Sequence, residues 1–377
     1  MKVYWLWLSQ KLSARGVQEL MAQFSSPEEV YFASARDFAR LGLGERTTQA
    51  LCDKELGDVN RLLEQCEQKD IRVLTLSDAA YPEKLKAISD PPPVLYLRGA
   101  LPPLETQPCV GVVGTRKASA YGLQTAMRLS WQLTRGGAIV VTGLAHGVDS
   151  EAARGALLGD GPVVGVLGTG VDVVYPRENR TLYADVAARG CLLSEFPPGT
   201  PPLRWNFPTR NRILSGLCDG VLVVEAGDKS GALITARLAL EQGRDVFAVP
   251  GTLDNPVGRG SNELLRQGAG LITCGWDLLQ EYENRYPGKL REVSELPPEP
   301  KPPEPLPPVS KPHKPPSTEG LRPEEQAIVQ ALAPGRLQLD DLIAASALPA
   351  GRVLSALTML QIKGVIEQLP GKWYQLS

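Results

Sequence analysis

Six short apolar runs recur along the middle of the chain: Val110–Val113, Ala138–Thr142, Val163–Leu167, Cys191–Ser194, Val221–Val224 and Val246–Val249. Runs of this length that stay apolar on both faces read as buried parallel strands. Helical patterns separate them, as in Tyr121–Arg135, Asp149–Leu158, Asn179–Arg189 and Ala232–Gln242. Regular alternation of strand and helix predicts an α/β fold, a doubly wound open sheet. Such sheets take ligands in the crevice at the carboxyl ends of their strands, so the loops after these runs hold the candidate site.

At 377 residues the chain is too long for one ordinary domain. Residues 1–65 look helical, through "SARGVQELMAQF", "SPEEVYFA" and "SARDFARLGLGERTTQALC". The "LGLG" turn at Leu41–Gly44 resembles a helix-hairpin-helix, whose exposed amides address phosphate; a plain helical packing module, SAM-like, fits the same residues. Residues 66–290 hold the sheet. Residues 291–320 read as a linker, since 11 of the 20 residues from Pro297 to Pro316 are proline. That composition builds neither helix nor ladder and acts as a semi-rigid spacer, with docking to a proline-reading module as the alternative. Residues 321–377 give three helical patterns and a two-stranded tail around "KGVIEQLPGKWYQL", the order of a winged helix-turn-helix. The third helix, Ala350–Lys363, carries only Arg352 and Lys363 as cations, without a cluster of base-reading side chains at its start. Protein contact or weak DNA contact is favoured there over sequence-specific readout.

A net charge of −2 gives no global basic signature, so any anion site must be local. The six cysteines are scattered without a C-x-x-C pair, and the histidines are His146 and His313 alone. This disfavours a disulfide framework, a zinc site or another metal, and fits a reducing cytoplasm. The opening "MKVYWLWLSQKLSARG" is too short in its apolar part for a secretory signal, and no stretch approaches the roughly 18 apolar residues of a membrane span. A soluble, cytoplasmic protein without cofactor is expected.

The first strand is followed by "GVVGTRKASAYG". Gly114 permits a sharp turn, Thr115 and Ser119 offer hydroxyls, and the next helix aims its free amides at the strand end, which makes an anion cradle. Arg116 adds a planar charged fork suited to phosphate. From Thr106 to Val148 there is no acid, while Arg116, Lys117, Arg128 and Arg135 are present. An ordinary βα turn beside a solvated helix face is the alternative. NAD is disfavoured because the spacing is not G-x-G-x-x-G and no acid follows "VVTG" to hold a ribose. "EAGDKSGALITA" lacks the glycine before Lys229 that a Walker loop requires, Asp228 standing there instead.

"LRWNFPTRNRILSGLCDG" lies between the fourth and fifth runs, which places Asn206, Phe207, Arg210, Asn211 and Arg212 in or beside the same crevice as Arg116. Guanidinium groups set among aromatic faces suit a single-stranded nucleic acid, cations tracking phosphates while rings accept bases. Trp205 or Phe207 is then the base platform, or both rings belong to the core. His146 has Asp149 nearby but no nucleophile elbow, and Cys218 reads as a buried small residue.

These residues resemble the DNA-processing protein A family, also called Smf, through "GVVGTRKASAYG", "VTGLAHGVDSEAARGAL", "LGTGVDVVYPRENRTLY", "LLSEFPPGTPP", "WNFPTRNRILSGL", "VLVVEAGDKSGALITARLALEQGRDVFAVPG" and "GRGSNELLRQGAGLI". The resemblance runs in family order over about Ala79–Leu278, and Thr115 and Cys218 stand where serine is usual. It implies an extended Rossmann-like core at 66–290 that binds single-stranded DNA without sequence preference, dimerises and loads the RecA recombinase, possible contact with single-strand-binding protein included. The site residues it implies, together with the reading above, are Gly114, Thr115, Arg116, Ser119, Tyr121, Gly143, Asn206, Phe207, Arg210, Asn211, Arg212, Lys229, Ser230 and Gly231. Leu264, Leu265 and Leu271 are the candidate dimer contacts, and no catalytic or metal residue is assigned. Two rival classes stay open: a nucleotide-processing hydrolase on a similar core, using a carboxylate such as Glu225, and a winged-helix transcription regulator.

Overall fold

The apolar runs become the centre of a nine-stranded sheet in the computed structural model. The structure describes residues 1–297 and, between 321 and 376, all but 334, 347 and 370–372; the proline-rich stretch after Pro297, with His313, lies outside the described residues. The chain divides into two units, Met1–Pro297 and Pro298–Ser377.

The sheet strands are β1 (Arg72–Thr75), β2 (Val94–Gly99), β3 (Cys109–Val113), β4 (Ile139–Thr142), β5 (Val163–Val166), β6 (Cys191–Ser194), β7 (Gly220–Val223), β8 (Asp245–Ala248) and β9 (Gly270–Leu271). Their order is β1-β2-β6-β5-β4-β3-β7-β8-β9. From β6 to β9 every neighbouring pair is parallel, whereas β2 pairs antiparallel with both β6 and β1. This antiparallel flank falls outside the strand–helix rhythm, and the periodicity of the sequence does not reveal it.

The chain begins with α1 (Lys2–Lys11), α2 (Ala14–Met21), α3 (Pro27–Phe32), α4 (Ala35–Arg40), α5 (Glu45–Cys52) and α6 (Gly57–Gln68). After the short α7 (Glu83–Lys86) come the crossover helices α8 (Ala120–Arg135), α9 (Val148–Leu158), α10 (Arg180–Arg189), α11 (Asn206–Gly216), α12 (Gly231–Glu241), α13 (Arg259–Arg266) and α14 (Gly275–Leu279). Strand β3 shows how both faces are covered. Val110 and Val112 join a core with Leu129 of α8 and Ala153 of α9, while Cys109 and Val113 join another with Leu214 of α11 and Ala236 of α12. Alternate side chains of a strand point to opposite faces, so two helical layers need strands that are apolar at every position.

Trp5, Leu6, Trp7 and Leu8 of α1 are all buried, and α1 packs on β1 and β2. The Trp5 indole donates to Ser77 Oγ at 2.8 Å and the Trp7 indole to the Asp53 carbonyl at 2.9 Å. The N-terminal helices therefore share the core of the sheet, and the "LGLG" turn is the short link between α4 and α5. At the other end, residues 291–295, read from sequence as the start of the linker, stay on the core. The Arg291 amide donates to the Gly136 carbonyl at 3.1 Å, and Gln132 Nε2 reaches the carbonyls of Val293 and Glu295.

In the second unit α15 (Pro323–Leu332), α16 (Leu339–Ser346) and α17 (Ala350–Ile362) pack with β10 (Leu337–Gln338), β11 (Ile366–Leu369) and β12 (Trp373–Leu376) around Ile328, Leu342, Val353, Leu357 and Leu360. The strand order β10-β12-β11 makes the wing. Both cations singled out on its third helical segment have internal partners, Arg352 with Glu324 at 3.0 Å and Lys363 with Glu325 at 2.7 Å. No helix among the described residues is long and apolar enough to cross a membrane.

Candidate nucleic-acid interface

The chain lays β4, β5 and β6 on one side of β3, then returns through α11 to place β7 on the other side. The point where the order reverses opens a crevice at the carboxyl ends of β3 and β7. A cleft lies there, with Gly114, Thr115 and Arg116 on one wall, Phe207, Arg210 and Asn211 on a second, and Ser230 and Gly231 on the third.

The rim is exposed and carries the groups that face solvent. The Thr115 amide donates to the Glu225 carbonyl at 2.7 Å, which ties the loop after β3 to the end of β7. Arg116 projects outward, its guanidinium carbon 5.0 Å from the centre of the Phe207 ring. Phe207 in turn lies 5.6 Å from the ring of Tyr175. Trp205, at the start of α11, is 69% exposed, so it does not belong to the core. Lys229 is exposed on the loop before α12, and nothing crowds Gly231 at the start of that helix.

The floor is closed by internal contacts. Arg210 is only 4% exposed; it donates to the Val166 carbonyl and, through Nε, to Asn211 Oδ1 at 3.2 Å. Its guanidinium lies against Gly143, where a Cβ would sit 2.3 Å from a terminal nitrogen, so a side chain at Gly143 would displace it. Asp149, at the start of α9, accepts the Gly143 amide at 3.1 Å. Burial pushes the Asp149 carboxyl up, opposed by the Arg210 guanidinium and the amides of Gly114, Gly143 and Ala145. Burial likewise lowers Arg210, and the Asp149 charge opposes it. A guanidinium stays protonated in proteins, so the floor holds a compensated buried charge. Asn206 is also buried, its Nδ2 donating to the Gly168 carbonyl at 3.0 Å.

Several residues expected at the cleft sit elsewhere. Arg212 is buried on another flank of α11, paired with Asp90 at 3.0 Å and Glu195 at 2.5 Å. Positions two apart on a helix do not share a face, so Arg210 and Arg212 cannot both point into one crevice. Ser119 does not offer its hydroxyl to the cleft, because Oγ donates to Glu225 Oε1 at 2.7 Å. Tyr121 points toward the Pro250 carbonyl, 3.4 Å away, outside the cleft lining. Gly143 lies beneath Arg210 rather than at the surface.

Comparison with known proteins fits this architecture. Residues 72–283 match the model of the DNA recombination-mediator protein A family, and residues 312–372 match a DprA winged helix domain. The chain belongs to the DNA recombination-mediator protein A family. Protein Smf of Synechocystis sp. is 37% identical over 99% of this chain and 98% of its own length. DNA processing protein DprA of Bacillus subtilis is 43% identical over 60% of this chain and 76% of its own. Among solved structures, DprA of Streptococcus pneumoniae superposes with a TM-score of 0.65 at 34% identity, covering 74% of this chain and 96% of that one. DNA processing protein A of Helicobacter pylori, whose structure is described for its single-stranded DNA binding mode, gives 0.51 at 31% identity over 57% of this chain and 97% of its own.

Within this recombination-mediator core, the candidate subunit contacts divide. Leu264 and Leu265 are half-buried on α13, with Leu264 packed on the core, while Leu271 is 56% exposed on the edge strand β9. Sequence reasoning did not single out Tyr175, which no pattern distinguishes from a core tyrosine. It noted Asp149 only as a neighbour of His146, although its place at the start of a helix after "TGLAHG" is the available signal. His146 is instead at the surface, 3.7 Å from Glu178.

Proposed function

We propose that the switch-point cleft binds single-stranded DNA without sequence preference and that the protein, as a homodimer, places a RecA-type recombinase on that strand. The observation that carries the reading is the exposed Arg116 guanidinium lying on the Phe207 ring beside the open start of α12. One group addresses phosphate and the other a base face, and neither reads base edges. Trp205, Asn211, Lys229, Ser230 and Gly231 extend the contact along the rim. The single-stranded DNA binding mode described for the Helicobacter pylori relative and the recombination-mediator family support it. The recombinase, contact with single-strand-binding protein and the exposed Leu271 as part of a subunit contact rest on the family resemblance, and the cytoplasmic setting on the scattered, unpaired cysteines. The protein acts as a binder and not as an enzyme on this reading: Glu225, the carboxylate a nucleotide hydrolase would use, is turned inward onto Ser119. With both singled-out cations of the winged unit already paired, that unit suits protein contact better than duplex readout.

Fluorescence anisotropy with oligothymidine and a random duplex of equal length tests the first part. Preference for the single strand, with affinity falling as salt rises by about 0.7 in the log–log slope per phosphate neutralised, is the expected outcome. Equal or tighter duplex binding overturns it. Stimulation of strand exchange on strands coated with single-strand-binding protein tests the second part, and a wild-type protein without effect on its cognate recombinase removes it.

A further inference from the structure

The first helix of the parallel core, α8, begins where a mononucleotide-binding sheet holds its ligand's phosphate: just beyond the strand at the switch point, with a glycine in the first turn. In this protein that place is filled from within. Glu225, from the end of β7, is 3% exposed and lies over the start of α8. Its carboxylate accepts the Ser119 amide at 2.8 Å, the Ser119 hydroxyl at 2.7 Å and Asn255 Nδ2 at 3.2 Å. The Ser119 hydroxyl oxygen also accepts the Gly122 amide at 3.1 Å, the ordinary cap of the helix. Glu225 is therefore not the local cap: it arrives from 106 residues away and adds its acceptor oxygens to an end that is already capped.

Gly122 is what admits it. A Cβ on Gly122 would stand 2.4 Å from Glu225 Oε2, so this glycine gives the helix start close approach to a carboxylate, much as a glycine gives close approach to a pyrophosphate in a dinucleotide fold. The neighbouring helix start is the contrast. At α12 the Ser230 hydroxyl caps the Ala232 amide, Gly231 is exposed, a Cβ there would meet nothing within 4 Å, and both residues line the open cleft.

We infer that Glu225 is a built-in phosphate surrogate that sets the specificity of the crevice, closing the start of α8 to the phosphates of free nucleotides and leaving the rim at Arg116 and α12 as the place for an external phosphate. The exclusion stands on the geometry of Glu225 alone; only the use of the rim by DNA rests on the function proposed above.

The test uses the full chain, with ADP as the probe and the ligand-induced shift of the thermal transition, backed by calorimetry, as the readout. Wild type and Glu225→Gln, which keeps the space filled, are expected to show no ADP binding at millimolar concentration. Glu225→Ala and Glu225→Ser empty the space and are expected to bind ADP at least tenfold more tightly than wild type; adding Ser119→Ala removes that gain. A folded Glu225→Ala that binds ADP no better than wild type overturns the inference, as does a Glu225→Gln that binds as tightly as Glu225→Ala. For a variant too unstable to melt cooperatively, recovery of a cooperative transition with ADP supports the inference and no recovery overturns it. Wild type that fails to bind oligothymidine would instead count against the proposed function and leave the nucleotide result standing.

Discussion

The floor and the rim of the cleft are built from the same residue types and treat them in opposite ways. On the floor, Arg210 is covered, hydrogen-bonded to the Val166 carbonyl and set near Asp149. On the rim, Arg116, Lys229 and Trp205 are exposed, and the Arg116 guanidinium lies over the Phe207 ring. An arginine beside the cleft is thus two different objects depending on whether a backbone carbonyl or solvent meets its guanidinium. Floor residues set the shape and stability of the site; rim residues are left to meet a ligand.

The sharpest way to break that division is at the floor. Arg210→Ala removes the donors to Val166 and leaves Asp149 with backbone amides but without its guanidinium, and is expected to destabilise the first unit by about 3–5 kcal/mol, the range for breaking a buried charge partnership. Chemical denaturation measures it; a variant as stable as wild type would show that the floor is not structural. Phe207→Ala is next. It should weaken oligothymidine binding by roughly 1–3 kcal/mol, the usual loss for one stacked base, with no change in salt slope. Arg116→Ala should reduce affinity by about tenfold, near 1.4 kcal/mol, and make the salt slope shallower by about 0.7, while stability moves by less than about 0.5 kcal/mol. Anisotropy over a salt series separates these two, because only the cation releases counterions. Lys229→Ala, on an exposed flexible stem, is expected to have the smallest effect, roughly 0.5 kcal/mol, with the same sign of slope change.

The parallel core was legible because burial on two faces leaves a simple mark: Val110–Val113 or Val221–Val224 can be read as strands from their apolar runs alone. The antiparallel pair β1 and β2 left no such mark, since "RVLT" and "VLYLRG" sit among prolines and charges and their pairing is decided by the sheet they join. At the site, Gly114, Thr115, Arg116, Phe207, Arg210, Asn211, Ser230 and Gly231 all line the cleft as the loop positions suggested. What the sequence could not show is direction. Arg212 differs from Arg210 by one hundred-degree step taken twice, and the acids that hold it, Asp90 and Glu195, are remote in the chain. Ser119 looked like a phosphate donor for the same reason: its partner, Glu225, is brought to it only by the pairing of β3 with β7.

The stack of Arg116 on Phe207 also bears on how fast a strand can come and go. The guanidinium and the ring it lies on form an association worth about 0.5–1 kcal/mol at an exposed position. A base that takes the ring face sets the guanidinium free at the moment a phosphate arrives to meet it, and a departing base returns the ring to it. On the proposed reading, this one position then closes on itself as the strand leaves, so release of the base and recapture of the ring by Arg116 are a single exchange.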